Sequence, residues 1–237
     1  MGAKTALLAY AAEDPVESLR RARESDPAAT RTLVAATHPA WERTASSDGN
    51  LFDDCYPPEG TVYAGSFPGI DILCDLDVMD YLPSEFPARY LDAAVGRRVI
   101  LHAMQSVTDT FAYAIWENDI LIRSLYLSPA TGIAENIGDP LAFEAPYWAG
   151  EHPVGDRYPL PFHPLELGGA ALRALFGFII VGRRQPSDVD AESVKLAGFQ
   201  VPPANPITEE MLAEFMRTHR RTSYRLGPGG ELIKVEP

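Results

Sequence analysis

VILHAMQSVTDTFAYAIWENDILIRSLYLS, residues 99–128, is the stretch whose reading decides the fold. It holds three apolar runs rich in β-branched and aromatic residues, interrupted by Asp109 and by the pair Asn118-Asp119. Runs of that composition between turn residues read as strands, and a two-residue polar break between two of them reads as a hairpin. The stretch therefore predicts three consecutive antiparallel strands. With a two-residue loop, Glu117 faces Ile120, Trp116 faces Leu121, Ala114 faces Arg123, Tyr113 faces Ser124 and Phe111 faces Tyr126. One surface of the hairpin then carries Phe111, Tyr113, Ile115, Ile120, Ile122 and Tyr126, and the other Ala112, Ala114, Trp116, Leu121, Leu125 and Leu127. Both are apolar, which places the hairpin in a sheet covered on both sides rather than one with a wet face.

Working towards the N-terminus, KTALLAY (residues 4–10) reads as a buried strand, and Asp14-Pro15 gives a cap and first-turn proline to a helix over VESLRRARES. DPAATRTLVAA, from Asp26, admits a second short helix, and HPAWERTASSDGN after it reads as surface loop. Residues 61–67 and 70–76 are two strands joined through Pro68-Gly69; Ile70, Ile72, Cys74 and Leu76 share one face of the second, opposite Asp71, Leu73, Asp75 and Asp77. Pro83-Ser84 starts a helix that Gly96 stops.

Towards the C-terminus, PATGIAENIGDP (129–140) is turn-rich, and residues 143–164 form a long loop with five prolines, several aromatics and no usable period. LELGGAALRALFGFIIV (165–181) is an apolar helix whose last turns also fit a buried strand. Residues 183–207, with Pro186, Pro202, Pro203 and Pro206, read as a linker or surface meander. Thr208 caps a helix over TEEMLAEFMRTHRR, whose acidic start and basic end match the helix dipole, and residues 231–235 form a short strand. The expectation is an α+β protein with a mostly antiparallel or mixed sheet of six or more strands and helices packed on it. Residues 1–182 make the core domain, 183–207 the linker, and 208–237 a helix and strand packed on the core or on a partner.

The chain has 237 residues, 46% of them hydrophobic and 10% aromatic, enough to bury a full core. Its formal charge of −13 repels phosphate backbones and anionic lipid, which argues against nucleic-acid binding. The longest uncharged apolar run, ALFGFIIVG at residues 174–182, falls far short of the ~20 residues of a membrane span. The opening MGAKTALLAYAAED lacks the regions of a signal peptide, and Ala6 spoils a myristoylation pattern. With only Cys55 and Cys74, unclustered, the expectation is a soluble cytosolic protein with free thiols.

The loop at 143–164 is the best site candidate. It gathers Glu144, Glu151, His152, Asp156, Arg157 and His163 among Tyr147, Trp148 and other aromatics, the mixture that small-molecule sites use. The bland alternative is a cover packed over the sheet, its charges in water. His102, in an apolar strand, is either a satisfied core group or a base beside a cleft. His102, His152 and His163 have three nitrogens to offer a metal, but no HExxH or clustered CxxC supports one, so no metal or cofactor is expected. Asp71, Asp75, Asp77 and Asp80 form an acidic string that reads as a solvated strand end or as paired acid–base carboxylates. Arg123, in an apolar hairpin, needs a carboxylate partner, and Glu144, Asp71 or Asp109 qualifies; an ion pair or a clamp on a substrate carboxylate follows. GxSxG is absent, and the acidic neighbours of Cys55 make it a poor nucleophile. Arg217 to Arg225 is the sole basic cluster, explained by the helix end or by an acidic partner surface.

MGAKTALLAY, PPEGTVYAGSFPG, LHAMQSV with FAYAIWE, SLYLSP, and FEAPYWAGEHP with PFHPLELG together resemble an uncharacterised bacterial family, known from actinobacterial genomes as a domain of unknown function, across residues 1–199. That resemblance implies no activity, cofactor or catalytic residue. The phrase WENDILIRSLYLSP followed by GIAENIGDPLAFE is also similar to hairpins of bacterial immunity-type and other small binding proteins, where it is structural.

Two functions fit these residues. The first is a cytosolic binding or accessory module that takes a small ligand or protein partner through Tyr147, Trp148, Glu151, His152, Arg157 and His163, with Arg123 as a further ligand contact. The second is a hydrolase-like enzyme with His102 or His152 as base and Asp71, Glu144 or Glu151 as its carboxylate. A homo-oligomeric scaffold that exchanges the helix over 208–221 is a third.

Overall fold

The computed structural model describes residues 2–39, 45–155, 157–201, 223–226 and 232–235. Nine strands build one sheet: β1 (Lys4–Ala11), β2 (Gly49–Asn50), β3 (Thr61–Phe67), β4 (Ile70–Cys74), β5 (Arg98–Gln105), β6 (Thr110–Glu117), β7 (Ile120–Ser128), β8 (Gly132–Ile137) and β9 (Lys195–Gln200). Their order is β2-β9-β3-β4-β1-β5-β6-β7-β8, and every pairing is antiparallel. The chain is α+β, as its composition and punctuation predict.

Among the described residues five helices flank the sheet: α1 (Pro15–Arg21), α2 (Pro27–Thr37), α3 (Ala88–Asp92), α4 (Ala145–Trp148) and α5 (Pro164–Phe176). Asp-Pro dipeptides start the first two. The Asp14 side chain accepts from the Glu17 amide, the Asp26 side chain from those of Ala28 and Ala29, and the proline after each needs no hydrogen bond of its own. Gly177 ends α5 at φ +76°, where a β-carbon would also meet Val16 Cγ1 at 2.6 Å. Beyond it, Phe178 to Val181 are neither helix nor strand, because this left-handed residue turns the chain out of the helix.

The sheet separates two apolar layers. Leu8, Tyr10, Leu73, Leu101, Ala114 and Trp116 pack with Leu33 and Val34 of α2 and Tyr90 of α3. On the other side Leu7, Ala9, Ile72 and Ile100 pack with Leu19 of α1 and Leu172 and Phe176 of α5. That second side continues as Met104, Phe111, Tyr113, Leu125 and Leu127 under Leu160, Phe162 and Leu167. β1 and β6 are apolar on both sides for this reason, and β1 lies at the middle of the sheet.

The hairpin register differs from expectation beyond its first two pairs. Glu117 does oppose Ile120 and Trp116 opposes Leu121, but Ile122 is then bulged out, so Ile115 opposes Arg123, Tyr113 opposes Leu125 and Phe111 opposes Leu127. One extra residue moves every later side chain of β7 to the other face. Leu125 and Leu127 join Phe111 and Tyr113, Tyr126 leaves them, and Arg123 changes sides.

Strands β8 and β9 stand where turns and a meander are expected, and the two-residue β2 ends the segment read as surface loop. β8 occupies part of the turn-rich 129–140 segment; Ala134 bulges out between Glu135 and Ile133, which breaks the alternation a strand would show. β8 is an edge strand with Ile133 and Ile137 partly exposed, while the Glu135 carboxylate points inward to accept from Ser124 Oγ and Ser84. β9 lies inside the 183–207 segment, between β2 and β3, with Leu196 and Phe199 buried in opposite layers; the flanking prolines masked a six-residue run. Residues Met1–Pro202 form one compact unit. In the second unit, Pro203–Pro237, β10 (Ser223–Leu226) pairs with β11 (Leu232–Val235). The helix expected at 208–221 lies outside the described residues.

Candidate functional site

The bulge at Ile122 determines what the long loop can do. It brings Arg123 onto the side of the sheet that the loop covers, where the single turn of α4 delivers Glu144. The pair is sealed: Arg123 is 1% exposed and Glu144 not at all. Arg123 Nε and Nη2 reach the two carboxylate oxygens at 3.0 and 2.5 Å, a bidentate fork. Glu144 also accepts from the Tyr113 hydroxyl, from the Leu141 amide at 2.7 Å and from Trp148 Nε1 at 3.0 Å. The remaining guanidinium nitrogen, Nη1, donates to Asn136 Oδ1 at 2.6 Å and to the carbonyl of Ile137 at 2.9 Å. Burial alone would raise the Glu144 pKa, but Arg123, Tyr113, the Leu141 amide and Trp148 together hold it below the usual carboxylate range. Every guanidinium nitrogen and both carboxylate oxygens of the clamp have a partner within the protein and both side chains are buried, an arrangement that ties the loop to the sheet.

The rest of the loop rides on this anchor. Tyr147 is buried and donates to the Glu166 carbonyl at 3.1 Å, and Trp148 meets Phe162 edge to face at 5.0 Å. His152 stacks on Tyr147 at 4.1 Å, its Nδ1 2.8 Å from Glu166 Oε1. His163 caps α5, stacks on Tyr158 at 5.2 Å and lies 3.6 Å from Asp109. Glu151 and Arg157 are exposed. The loop is thus packed underneath and carries an imidazole and charged rim outside. Surface clefts of about 580, 660 and 570 Å³ lie elsewhere and are lined by residues outside the loop.

The other expected catalytic groups are separated. His102 is fully buried between Phe111 and Phe176, with Nδ1 2.7 Å from Thr5 Oγ1 and Nε2 2.8 Å from the Gly168 carbonyl. Gly168 permits that approach, since a β-carbon there would lie 2.7 Å from Met104 Sδ. Burial pushes the His102 pKa down to about 4, only partly opposed by the Gly168 carbonyl, so it is a neutral core residue at pH 7. Asp71 pairs with Arg97 at 2.5 Å on the opposite face of the sheet. His102, His152 and His163 each have a separate partner and do not meet around one point. Both thiols are buried and unpaired. Cys55 is pushed up to about 12 by burial first and by Asp54 and Asp53 second, which leaves it unreactive at neutral pH.

A second polar cluster lies on the face that α2 and α3 cover, and sequence reasoning reached only half of it. His38, at the C-cap of α2, is 7% exposed, and its Nε2 lies 3.1 Å from Asp75 Oδ2 at the end of β4. Asp75 is 3% exposed; it accepts from Tyr90 Oη at 2.5 Å and from the Asp77 amide at 3.0 Å. Burial opposes its ionisation, but His38, Tyr90 and the Asp77 amide outweigh burial and lower its pKa. Asp77 goes the other way, raised by burial and by Asp75. Arg89 Nη2 stands 3.4 Å from Asp77 and over the Tyr90 ring. The acidic string pointed to Asp75 and Asp77. His38 was read as surface loop because the apolar period of α2 stops at Thr37 and a cap histidine leaves no periodic mark. Among the described residues, His38, Asp75 and Asp77 are the group whose ligand atoms, all within 4.8 Å of one another, have the geometry for a metal ion.

No described helix is long and apolar enough to cross a membrane. The model of a family of unknown function (DUF6928) matches residues 5–199. No curated protein and no solved structure matches the chain.

Proposed function

We infer the role of this chain, which belongs to that family of unknown function (DUF6928), from the way its long loop is held: it is a binding module that recognises a protein partner through the rim of residues 147–163. One observation carries this reading. The buried Arg123–Glu144 clamp ties the start of the loop to the sheet while His152, Arg157 and His163 stay at the surface, and a loop anchored in advance loses less entropy on association. Recognition of a macromolecule is favoured over a small ligand because three clefts large enough for one are lined by residues outside the loop. The two buried thiols and the charge of −13 suit a reducing, cytosolic setting.

Trp148 is a poor probe, because its indole is a donor to Glu144. The decisive variant reverses the exposed charges, Glu151→Lys with Arg157→Glu, beside His152→Ala. Affinity capture with wild-type and variant baits from the native host should give at least one protein that the wild type holds and the variants lose. If every captured protein is held equally by all baits, the loop is only a cover.

A hydrolytic reading keeps one supporting observation, the Glu166 carboxylate 2.8 Å from His152 Nδ1, which is the orienter half of a base–orienter pair. Among the described residues no hydroxyl or thiol is hydrogen-bonded to His152, so hydrolysis there would take water as its nucleophile.

A further inference from the structure

We propose that His38, Asp75 and Asp77 bind one divalent first-row transition-metal ion, in a site on the opposite face of the sheet from the loop. The argument starts from the imidazole. His38 is more than nine-tenths buried, and its Nε2 lies 3.1 Å from Asp75 Oδ2 without being aligned to hydrogen-bond to it or to any other described group. An unbonded ring nitrogen of this kind, buried beside two carboxylates, destabilises the fold if nothing satisfies it. The other ring nitrogen explains the orientation. Nδ1 is 3.0 Å from Thr37 Oγ1, which is placed to donate its own proton to the Leu33 carbonyl at 3.1 Å. With Nδ1–H given to the Thr37 oxygen, only a proton on Nε2, or a cation in its place, can join the ring to the carboxylates. A metal ion there would bind ring and carboxylates together.

The geometry and charge agree. Ligands about 2.1 Å from a metal stand about 3.0 Å apart when adjacent and about 4.2 Å when opposite, and the three ligand atoms here lie within 4.8 Å, with one pair at 3.1 Å. Each ligand is supported from behind, His38 by Thr37, Asp75 by Tyr90 and the Asp77 amide, and Asp77 by Arg89. Arg89 supplies one positive charge against two carboxylates, the buried Asp75 and the half-buried Asp77, which leaves a further cation favoured there. One nitrogen and two carboxylates suit Zn²⁺, Mn²⁺ or Co²⁺ better than Mg²⁺ or Ca²⁺, which take oxygen ligands. Three protein ligands also leave positions open for water or a further ligand.

The test uses the full chain, free of any histidine tag and stripped with chelator, titrated with Co²⁺ and Zn²⁺ and followed by calorimetry and Co²⁺ absorption. Wild type should bind one ion per chain, and Zn²⁺ should raise its melting temperature. His38→Gln and Asp77→Asn, the second chosen because Asp77 is half-buried and caps nothing, should each weaken binding at least tenfold and abolish the thermal shift while keeping the wild-type far-ultraviolet spectrum. His152→Ala should bind as wild type does. Absence of binding to wild type, or equal binding by His38→Gln and Asp77→Asn, overturns the proposal and leaves His38 and Asp75 as an ion pair.

Discussion

Two buried polar clusters face away from each other across one sheet, and they differ in how completely their groups are paired. Around Glu144 both carboxylate oxygens are taken, by Arg123, Tyr113, Trp148 and the Leu141 amide, and every nitrogen of Arg123 has a partner, Nη1 donating to Asn136 and to backbone carbonyls. Around Asp75 the account stays open: His38 Nε2, Arg89 Nε and the Tyr10 hydroxyl are buried without a hydrogen-bond partner among the described residues. Tyr10 is fully buried, and its pKa is raised by burial and by the Asp75 charge. Buried polar groups in folded proteins are nearly always paired. The first cluster therefore reads as architecture, and the second as a place arranged for something more.

Removing one member of the closed cluster should have the largest effect. Arg123→Ala leaves Glu144 charged and buried, and should cost about 3–5 kcal/mol in denaturant unfolding. A loss below about 1 kcal/mol would show that the clamp is not sealed. Next comes pH. The pKa of His102 falls from its ordinary 6.5 to about 4 on folding, so below pH 6.5 the unfolded chain takes up a proton that the folded one refuses. Stability should be complete above that pH and fall by about 3 kcal/mol as pH drops from roughly 6.5 to 4. Asp75 and Glu144, both held below their ordinary range, lose their contributions at lower pH. Urea midpoints of His102→Asn across the same range should therefore be flat where those of wild type slope.

The smallest effects discriminate most sharply. Tyr113→Phe removes a donor from Glu144 and should cost about 1–3 kcal/mol, whereas Tyr10→Phe removes a hydroxyl without a partner among the described residues and should change stability by less than about 0.5 kcal/mol or raise it. Equal losses in the two variants would mean that the Tyr10 hydroxyl has a partner and that the clusters are alike.

The hairpin shows what a sequence can and cannot disclose. Glu117–Ile120 and Trp116–Leu121 were legible because two turn residues fix the first pairs of a hairpin. The bulge at Ile122 was not, since one extra residue in an apolar run changes neither composition nor length perceptibly. It was the bulge, however, that selected Glu144 from the three carboxylates considered for Arg123, because Asp71 lies on the opposite face. The loop's composition marked it as unusual but did not separate Glu144, Tyr147 and Trp148, turned inward, from Glu151 and Arg157, turned outward. That division depends on the short helix α4, which Pro146 permits at its start and five prolines conceal. Across the sheet, Asp75 and Asp77 stood in a visible acidic string, whereas His38 meets them only through contacts between α2 and the end of β4.

β8 has a consequence for the molecule in a crowded solution. An outermost strand with exposed isoleucines offers unpaired amides and carbonyls to any passing extended chain, the usual seed of aggregation. Here the offered ladder is broken at Ala134, and a strand that docked against it would have to approach over the inward-directed Glu135 carboxylate. The same two irregularities that hid β8 from a reading of its sequence make this edge of the nine-stranded sheet a poor template for a tenth strand.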